Sequence, residues 1–283
     1  MINKDTKFLI VGLGLLGGSY ALGLKQKEYH VSAIDTNSHT IQYALEHNII
    51  DTGSTTADEA LIQEADVIIL GLYPSLMTAW IQENTHKIKK NTFITDVCGV
   101  KSGIVLEIQS LLPNGVEFIA AHPMAGKEVS GVEYADPNIF LPANFIITPT
   151  KNNTEDGIAL LYDLANILRF KRITQLSIEK HDEMIAFLSQ LPHVIAVCLM
   201  NCKESNHLIA YTGDSFRDLT RIAKINENLW SDLFLWNKDV LLSQIDLFMN
   251  QMSDFRELLA NSDEDAMKEA FKLSTQRRKE FDN

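Results

Sequence analysis

The sequence predicts an α/β domain built on a parallel sheet, followed by an all-α domain. Three observations carry this. Turn-formers crowd the first part: of 14 Gly and 7 Pro, all but Pro192 and Gly213 lie within residues 1–157. Short, continuously apolar runs alternate there with helix-like segments, the pattern of strands covered on both faces. Beyond residue 178, apolar residues recur at threes and fours. A chain of 283 residues has room for two domains, here 1–178 and 179–283.

Taken in order, FLIV (8–11) is a first strand that runs into GLGLLGGS, and helical periodicity follows through Tyr20, Ala21, Leu24 and Lys25. VSAID (31–35), DVIILG (66–71), TFITDV (92–97) and EFIAAHP (117–123) are further strands. Helices over IQYALEHN, 76–88 and 104–112 connect them. NFIITP (144–149) and RITQL (172–176), separated by a helix over 157–169, extend the sheet. In the second half, SQLPH interrupts a helix and restarts it. Residues 227–260 form one long helix or two nearly continuous ones, with Leu241, Ile245, Phe248, Met252, Phe255 and Leu259 in a stripe so wide that burial on more than one side is expected. A second copy of the chain or a central place in a monomeric bundle would supply it. Ser262-Asp263-Glu264-Asp265 caps a last charged helix.

Composition excludes several classes of function. Lys and Arg total 25 against 37 Asp and Glu, a net charge of −12, and each half carries an acidic excess. That argues against a nucleic-acid or anionic-membrane partner. Three cysteines without a CxxC pair fit a reducing, cytoplasmic setting, with Cys198 and Cys202 read as core packing. No signal-peptide pattern and no run of ~20 uninterrupted apolar residues is present. The scattered histidines have no metal-ligand spacing, so no metal is expected.

Gly12-x-Gly14-x-x-Gly17 directly follows the first strand and opens the first helix, and Asp35 ends the second strand. This is a dinucleotide-binding arrangement. Gly12 allows the tight turn, Gly14 lets a diphosphate approach the backbone, and Gly17 lets helix and strand pack closely. The first-turn amides of Leu15 and Leu16 face the phosphates. A carboxylate at Asp35 accepts hydrogen bonds from ribose hydroxyls and repels a 2′-phosphate. The first arginine in the chain is Arg169, so NAD is favoured over NADP. Tyr73 and Asp96, at the ends of the third and fourth strands, complete the expected cofactor contacts.

His122 stands at the end of the strand 117–123, on the edge where open α/β sheets bind ligands. It suits a general base, or a histidine satisfied by a backbone carbonyl. Arg217 and Arg221 are four apart, as a carboxylate clamp or as a surface charge array. Cys98 has no visible base partner.

With GLGLLGGS, Asp35, TDVCGVK, AAHPMAGKE, SQLPH and GDSFRDLTRIA in that order, the chain resembles the prephenate dehydrogenases of tyrosine biosynthesis. The resemblance implies a Rossmann-type NAD-binding domain, a helical substrate-binding and homodimerising domain, and NAD-dependent oxidative decarboxylation of prephenate to 4-hydroxyphenylpyruvate. It assigns His122 as the catalytic histidine on the substrate hydroxyl and Arg221 to a substrate carboxylate. His193 and Glu128 fall beside the substrate. Gly99 stands where members often carry Ser, and Gln190 where many carry a first His. Neither a mutase nor a regulatory domain is expected, so any feedback by tyrosine would act at the active site. Arogenate dehydrogenase, a hydroxyacid dehydrogenase and a non-catalytic NAD-sensing module are the competing readings.

Overall fold

A computed structural model describes residues 2–203 and 207–281. The chain divides into two compact units, Met1–Asn237 and Lys238–Asn283.

The first unit alternates strand and helix: β1 (Lys7–Val11), α1 (Leu15–Lys25), β2 (His30–Ile34), α2 (Ser38–Glu46), β3 (Thr52–Ser54), α3 (Glu59–Glu64), β4 (Val67–Leu70), α4 (Pro74–Asn84), β5 (Phe93–Asp96), α5 (Ile104–Leu111) and β6 (Glu117–Phe118). All six strands pair in parallel, in the order β3-β2-β1-β4-β5-β6, the doubly wound dinucleotide-binding order. Side chains alternate between faces, which explains the continuous apolar runs. Phe8 and Ile10 of β1, with Val67 and Ile69 of β4, enter one core. Leu9, Val11, Ile68 and Leu70 enter the other.

The run 117–123 is two strands rather than one. β6 pairs with β5, but β7 (Ala120–Pro123) pairs antiparallel with β8 (Asn144–Thr148). The exchange occurs where the Asp96 carboxylate takes the Ala121 N–H at 3.0 Å, which ends the ladder with β5. After α6 (Glu155–Ile167), β9 (Arg172–Gln175) pairs parallel with β8. The runs at 144–149 and 172–176 therefore build a separate three-stranded sheet, β7-β8-β9, and do not extend the first. β3 and α3 were invisible to hydrophobic patterning: Thr52-Gly53-Ser54 is short and polar, and α3 spans less than two turns.

The unit continues through α7 (Ile178–Ile185), a π-helical turn (Ala186–Gln190) and α8 (Leu191–Asn201). The helix widens at SQLPH where an interruption was expected. Pro192 lacks an N–H, and a π turn directly before it lets the helix continue through the site of the missing bond. Cys198 and Cys202 are exposed in this chain rather than packed in its core. Residues Ile178–Asn201 are long and apolar enough to cross a membrane by length and mean hydropathy (1.6). Yet His181, Asp182 and Gln190 on this helix are buried and hydrogen-bonded to other elements of the unit, which marks it as a helix of the fold. Helices α9 (Asp214–Thr220) and α10 (Glu227–Trp236) complete the first unit.

The second unit contains α11 (Lys238–Ala260) and α12 (Glu264–Lys279). Asp263 caps α12 by accepting the Ala266 N–H at 3.0 Å. The rings of Phe255 and Phe271 lie 6.0 Å apart between these helices. Leu241 is buried and Ile245 and Phe248 are partly so, but Leu242, Leu247, Met252, Phe255 and Leu259 remain exposed in the single chain, so much of the wide apolar surface of α11 is uncovered.

Candidate active site

The carboxyl ends of β1, β2, β4 and β5 share one edge of the parallel sheet, and the site is assembled along it. Gly12 takes φ +92°, and a Cβ there would stand 2.6 Å from the Gly71 carbonyl oxygen. A Cβ on Gly17 would stand 2.0 Å from the Gly12 oxygen. Both positions exclude a side chain. Gly14 has open space where its Cβ would lie, and it precedes α1 without any side-chain cap. The amides of Leu15 and Leu16 in that first turn have no intrahelical acceptor. Asp35, after β2, accepts the Leu13 N–H at 2.8 Å and the Asn37 N–H at 2.9 Å, which holds its half-exposed carboxylate beside the loop. An uncapped helix end, open space over Gly14 and an anchored carboxylate fit the diphosphate and ribose of a dinucleotide. Tyr73 lies at the start of α4 on the same edge, partly exposed.

Asp96 is placed differently from expectation. Its carboxylate points into the protein, where one oxygen accepts the Ala121 N–H and the other accepts the Cys98 N–H at 2.9 Å and the Lys101 ammonium at 2.5 Å. Lys101 also donates to the Cys98 carbonyl at 2.9 Å and the Ala121 carbonyl at 2.7 Å. All three ammonium donors are used, as an ammonium this deeply buried requires. The pair ties the end of β5 to β7 and so sets the height of His122. Cys98 lies beside it, buried, with its thiol pushed up to about 12, chiefly by burial, which disfavours the reactive thiolate.

His122 projects from β7. Its Nδ1 lies 2.9 Å from Nε2 of His181 on α7, whose Nδ1 lies 2.6 Å from Asp182. Asp182 also accepts the backbone N–H groups of Lys101 (3.0 Å) and Ser102 (2.7 Å). Burial, then the neighbouring His181 and the Lys101 ammonium, hold His122 well below the ordinary imidazole value of 6.5. Burial likewise lowers His181 against the opposing pull of Asp182. Burial pushes the Asp182 carboxyl up, but the hydrogen bonds from His181 and Ser102 outweigh it and leave the group below its usual range. A Cβ at Gly99 would come within 3.8 Å of His122 Cε1 and 3.3 Å of Leu233 Cδ2. Leu233 thus occupies much of the space that a larger residue at 99 would use.

The remaining candidates form a second group. Arg221 pairs with Glu128, on the loop after β7. His193 on α8 holds its Nδ1 2.8 Å from the Ser189 carbonyl, stacks on Trp230 at 3.7 Å between ring centroids, and feels the charges of both Glu128 and Arg221. Burial is the largest influence on His193 and lowers its pKa. Arg217 does not share this place. Helix α9 ends at Thr220, Arg221 begins a short 3₁₀ turn, and Arg217 lies 3.9 Å from Asp214 instead. Both arginines are exposed, and they take different carboxylates, Glu128 for Arg221 and Asp214 for Arg217. Gln190 is wholly structural: it donates to the Leu233 carbonyl at 3.0 Å and accepts from Asn237 at 2.8 Å, while the same Asn237 amide donates to the Asp182 carbonyl at 3.0 Å.

His181, Asp182 and Lys101 escaped sequence reasoning. One signal was available: Ile178, His181 and Ile185 share a helix face at three- and four-residue spacing, so a titratable residue interrupts an apolar stripe. Among the described residues, no group of three or more His, Cys, Asp or Glu could hold a metal ion.

Residues 20–171 match the family model for the nucleotide-binding domain of prephenate dehydrogenase, and residues 177–273 match that for its dimerization domain. The chain is 31% identical to cyclohexadienyl dehydrogenase of Zymomonas mobilis over 277 residues, covering 95% of this chain and 94% of that one. It is 29% identical to prephenate dehydrogenase of Bacillus subtilis over 281 residues, covering 96% of this chain and 74% of the relative. The crystal structure of prephenate dehydrogenase from A. aeolicus, in complex with hydroxyphenyl propionate and NAD+, superimposes with a TM-score of 0.89 at 28% identity, covering 98% of each chain.

Proposed function

The chain belongs to the prephenate dehydrogenase family of oxidoreductases, and on that premise we propose that it oxidatively decarboxylates prephenate to 4-hydroxyphenylpyruvate with NAD, as a cytoplasmic homodimer. The observation that carries this reading is the placement of His122. It is half-buried next to Ala121, whose N–H meets Asp96 at the carboxyl end of β5, with no hydrogen-bond partner on Nε2 among the described residues. Family matches that meet between 171 and 177 support the division near 178 into cofactor and substrate-binding domains. The exposed apolar stripe of α11 supports assembly through the second.

NAD would be held by the Gly12–Gly17 loop and Asp35, and when bound it accepts the hydride from the hydroxyl-bearing ring carbon. His122, kept neutral by its surroundings, takes the hydroxyl proton on Nε2 as that oxygen becomes a carbonyl. The C–C bond to the ring carboxylate breaks, CO2 leaves, and its bonding electrons complete the aromatic ring. Arg221 anchors a substrate carboxylate through its planar fork, in competition with Glu128 for its donors. His193 and Gly99 line the same approach. Asp96 acts on the site through Lys101 and β7.

Arogenate is the second reading, favoured by the relative named for the wider cyclohexadienyl class. NADH formation with NAD and prephenate, with NAD and arogenate, and with NAD alone separates the two. Turnover with neither aromatic precursor, by protein of native circular dichroism, would sink the proposal. A kcat/KM higher with NADP than with NAD would remove Asp35 from cofactor selection.

A further inference from the structure

The edge of His122 that faces away from the substrate is as informative as the edge that meets it. Asp182 is buried, and its Oδ1 approaches His181 Nδ1 to 2.6 Å. An ionised carboxylate can only accept, so Nδ1 of His181 carries the proton of that ring. A neutral His181 then presents a lone pair on Nε2. That lone pair lies 2.9 Å from His122 Nδ1, so His122 must carry its proton on Nδ1. Its Nε2 is left as a lone pair toward the ligand edge.

From this geometry we infer that His181 and Asp182 are positioning residues which select the tautomer of His122, keeping Nε2 proton-free and aimed at the substrate hydroxyl. The inference rests on reading His122 as the proton acceptor. When Nε2 takes the substrate proton, the Nδ1–H need not move, and the new positive charge is shared along two hydrogen bonds toward Asp182.

The surroundings enforce this state. The charged groups packed around the two imidazoles are Asp182 on α7 and the Lys101–Asp96 pair on the β5 side; Cys98 is the nearby thiol. Lys101 opposes protonation of both histidines. Asp182 is itself immobile, because the Lys101 and Ser102 amides hold its oxygens and Asn237 holds its carbonyl. An orienting group that is wholly buried and saturated with donors transmits one orientation only.

Asp182→Asn tests this at the level of the proton. The amide oxygen would keep the backbone donors, and its NH2 would face His181 Nδ1. His181 would then carry its proton on Nε2, and His122 would be forced to hold its own on Nε2, facing the substrate. With NAD and prephenate, kcat is expected to fall about 10²–10⁴-fold, with KM for prephenate changed less than about threefold. His181→Gln offers an oxygen near the position of Nε2 and should keep far more activity than His181→Leu. Adding Asp182→Asn to His181→Gln should cost less than about threefold further, because no imidazole remains to be flipped. A purely structural Asp182 would cost the same in both backgrounds, and that result would overturn the inference. So would an Asp182→Asn enzyme within about twofold of wild type.

The ¹⁵N spectrum of histidine-labelled wild-type protein provides a readout independent of turnover and of variant folding. His122 protonated at Nδ1 is expected, and protonation at Nε2 refutes the assignment. If His122→Asn leaves kcat unchanged while the spectrum shows the Nδ1 tautomer, the functional reading has failed and the tautomer assignment stands.

Discussion

The two polar groups of the site are built on opposite principles. Around His122, the side chains of Asp96, Lys101, His181 and Asp182 are at most 1% exposed, and each is held by several hydrogen bonds. Arg221 and Glu128 retain 64% and 37% of their side-chain exposure, and Arg221 lies in a single 3₁₀ turn at the end of α9. The first group is organised before any ligand arrives, so little reorganisation opposes proton transfer. The second holds its charge in solvent, where a ligand carboxylate can compete with Glu128 for Arg221. A dry, saturated cluster suits chemistry, whereas a wet, exchangeable pair suits capture.

Substitutions should separate the two groups, and the largest effects should come from the dry one. His122→Asn is expected to lower kcat by about 10²–10⁴-fold with little change in KM for prephenate; an unaltered kcat removes His122 from the mechanism. Lys101→Met leaves Asp96 charged and unpaired in the interior and should destabilise the fold by about 3–5 kcal/mol in denaturant titration. A loss under 1 kcal/mol would show that the buried pair is dispensable. Arg221→Ala should act mainly on binding, raising KM for prephenate about 10–100-fold, as loss of a charged hydrogen-bond donor implies. A pure kcat defect there would erase the distinction between the groups.

The smallest effect is the pH dependence of stability. His122, His181 and His193 all have folded pKa values below the ordinary 6.5. The unfolded chain therefore takes up protons near pH 6.5 that the folded chain refuses. Their contribution is fully present above that pH and is lost as pH falls through it. Urea midpoints should be flat from pH 7 to 8 and decline below about 6.5. A midpoint that rises on acidification from 7 to 6 would contradict the neutral, buried state of these rings.

Much of the cofactor side was legible in the sequence because its determinants are local. Gly12, Gly14 and Gly17 follow one strand, Asp35 ends the next, and steric exclusion at Gly12 and Gly17 explains the glycines directly. β1, β2, β4 and β5 read as strands because both of their faces are buried. The reading faltered where a side chain redirected the backbone: Asp96 takes the Ala121 amide, and the run 117–123 divides between two sheets. It faltered again at Pro192, where a π turn absorbs the proline.

The amino-acid sequence alone determined the parallel sheet, the helical second half and the dinucleotide loop. Those features depend on periodicity and on neighbours within a few residues. Tertiary structure alone decided what stands behind His122. Residues 59 positions apart meet as His122 and His181, and residues 81 apart meet as Lys101 and Asp182. No local pattern encodes such contacts, because they arise only when β5, β7 and α7 pack together and every buried donor must find its acceptor.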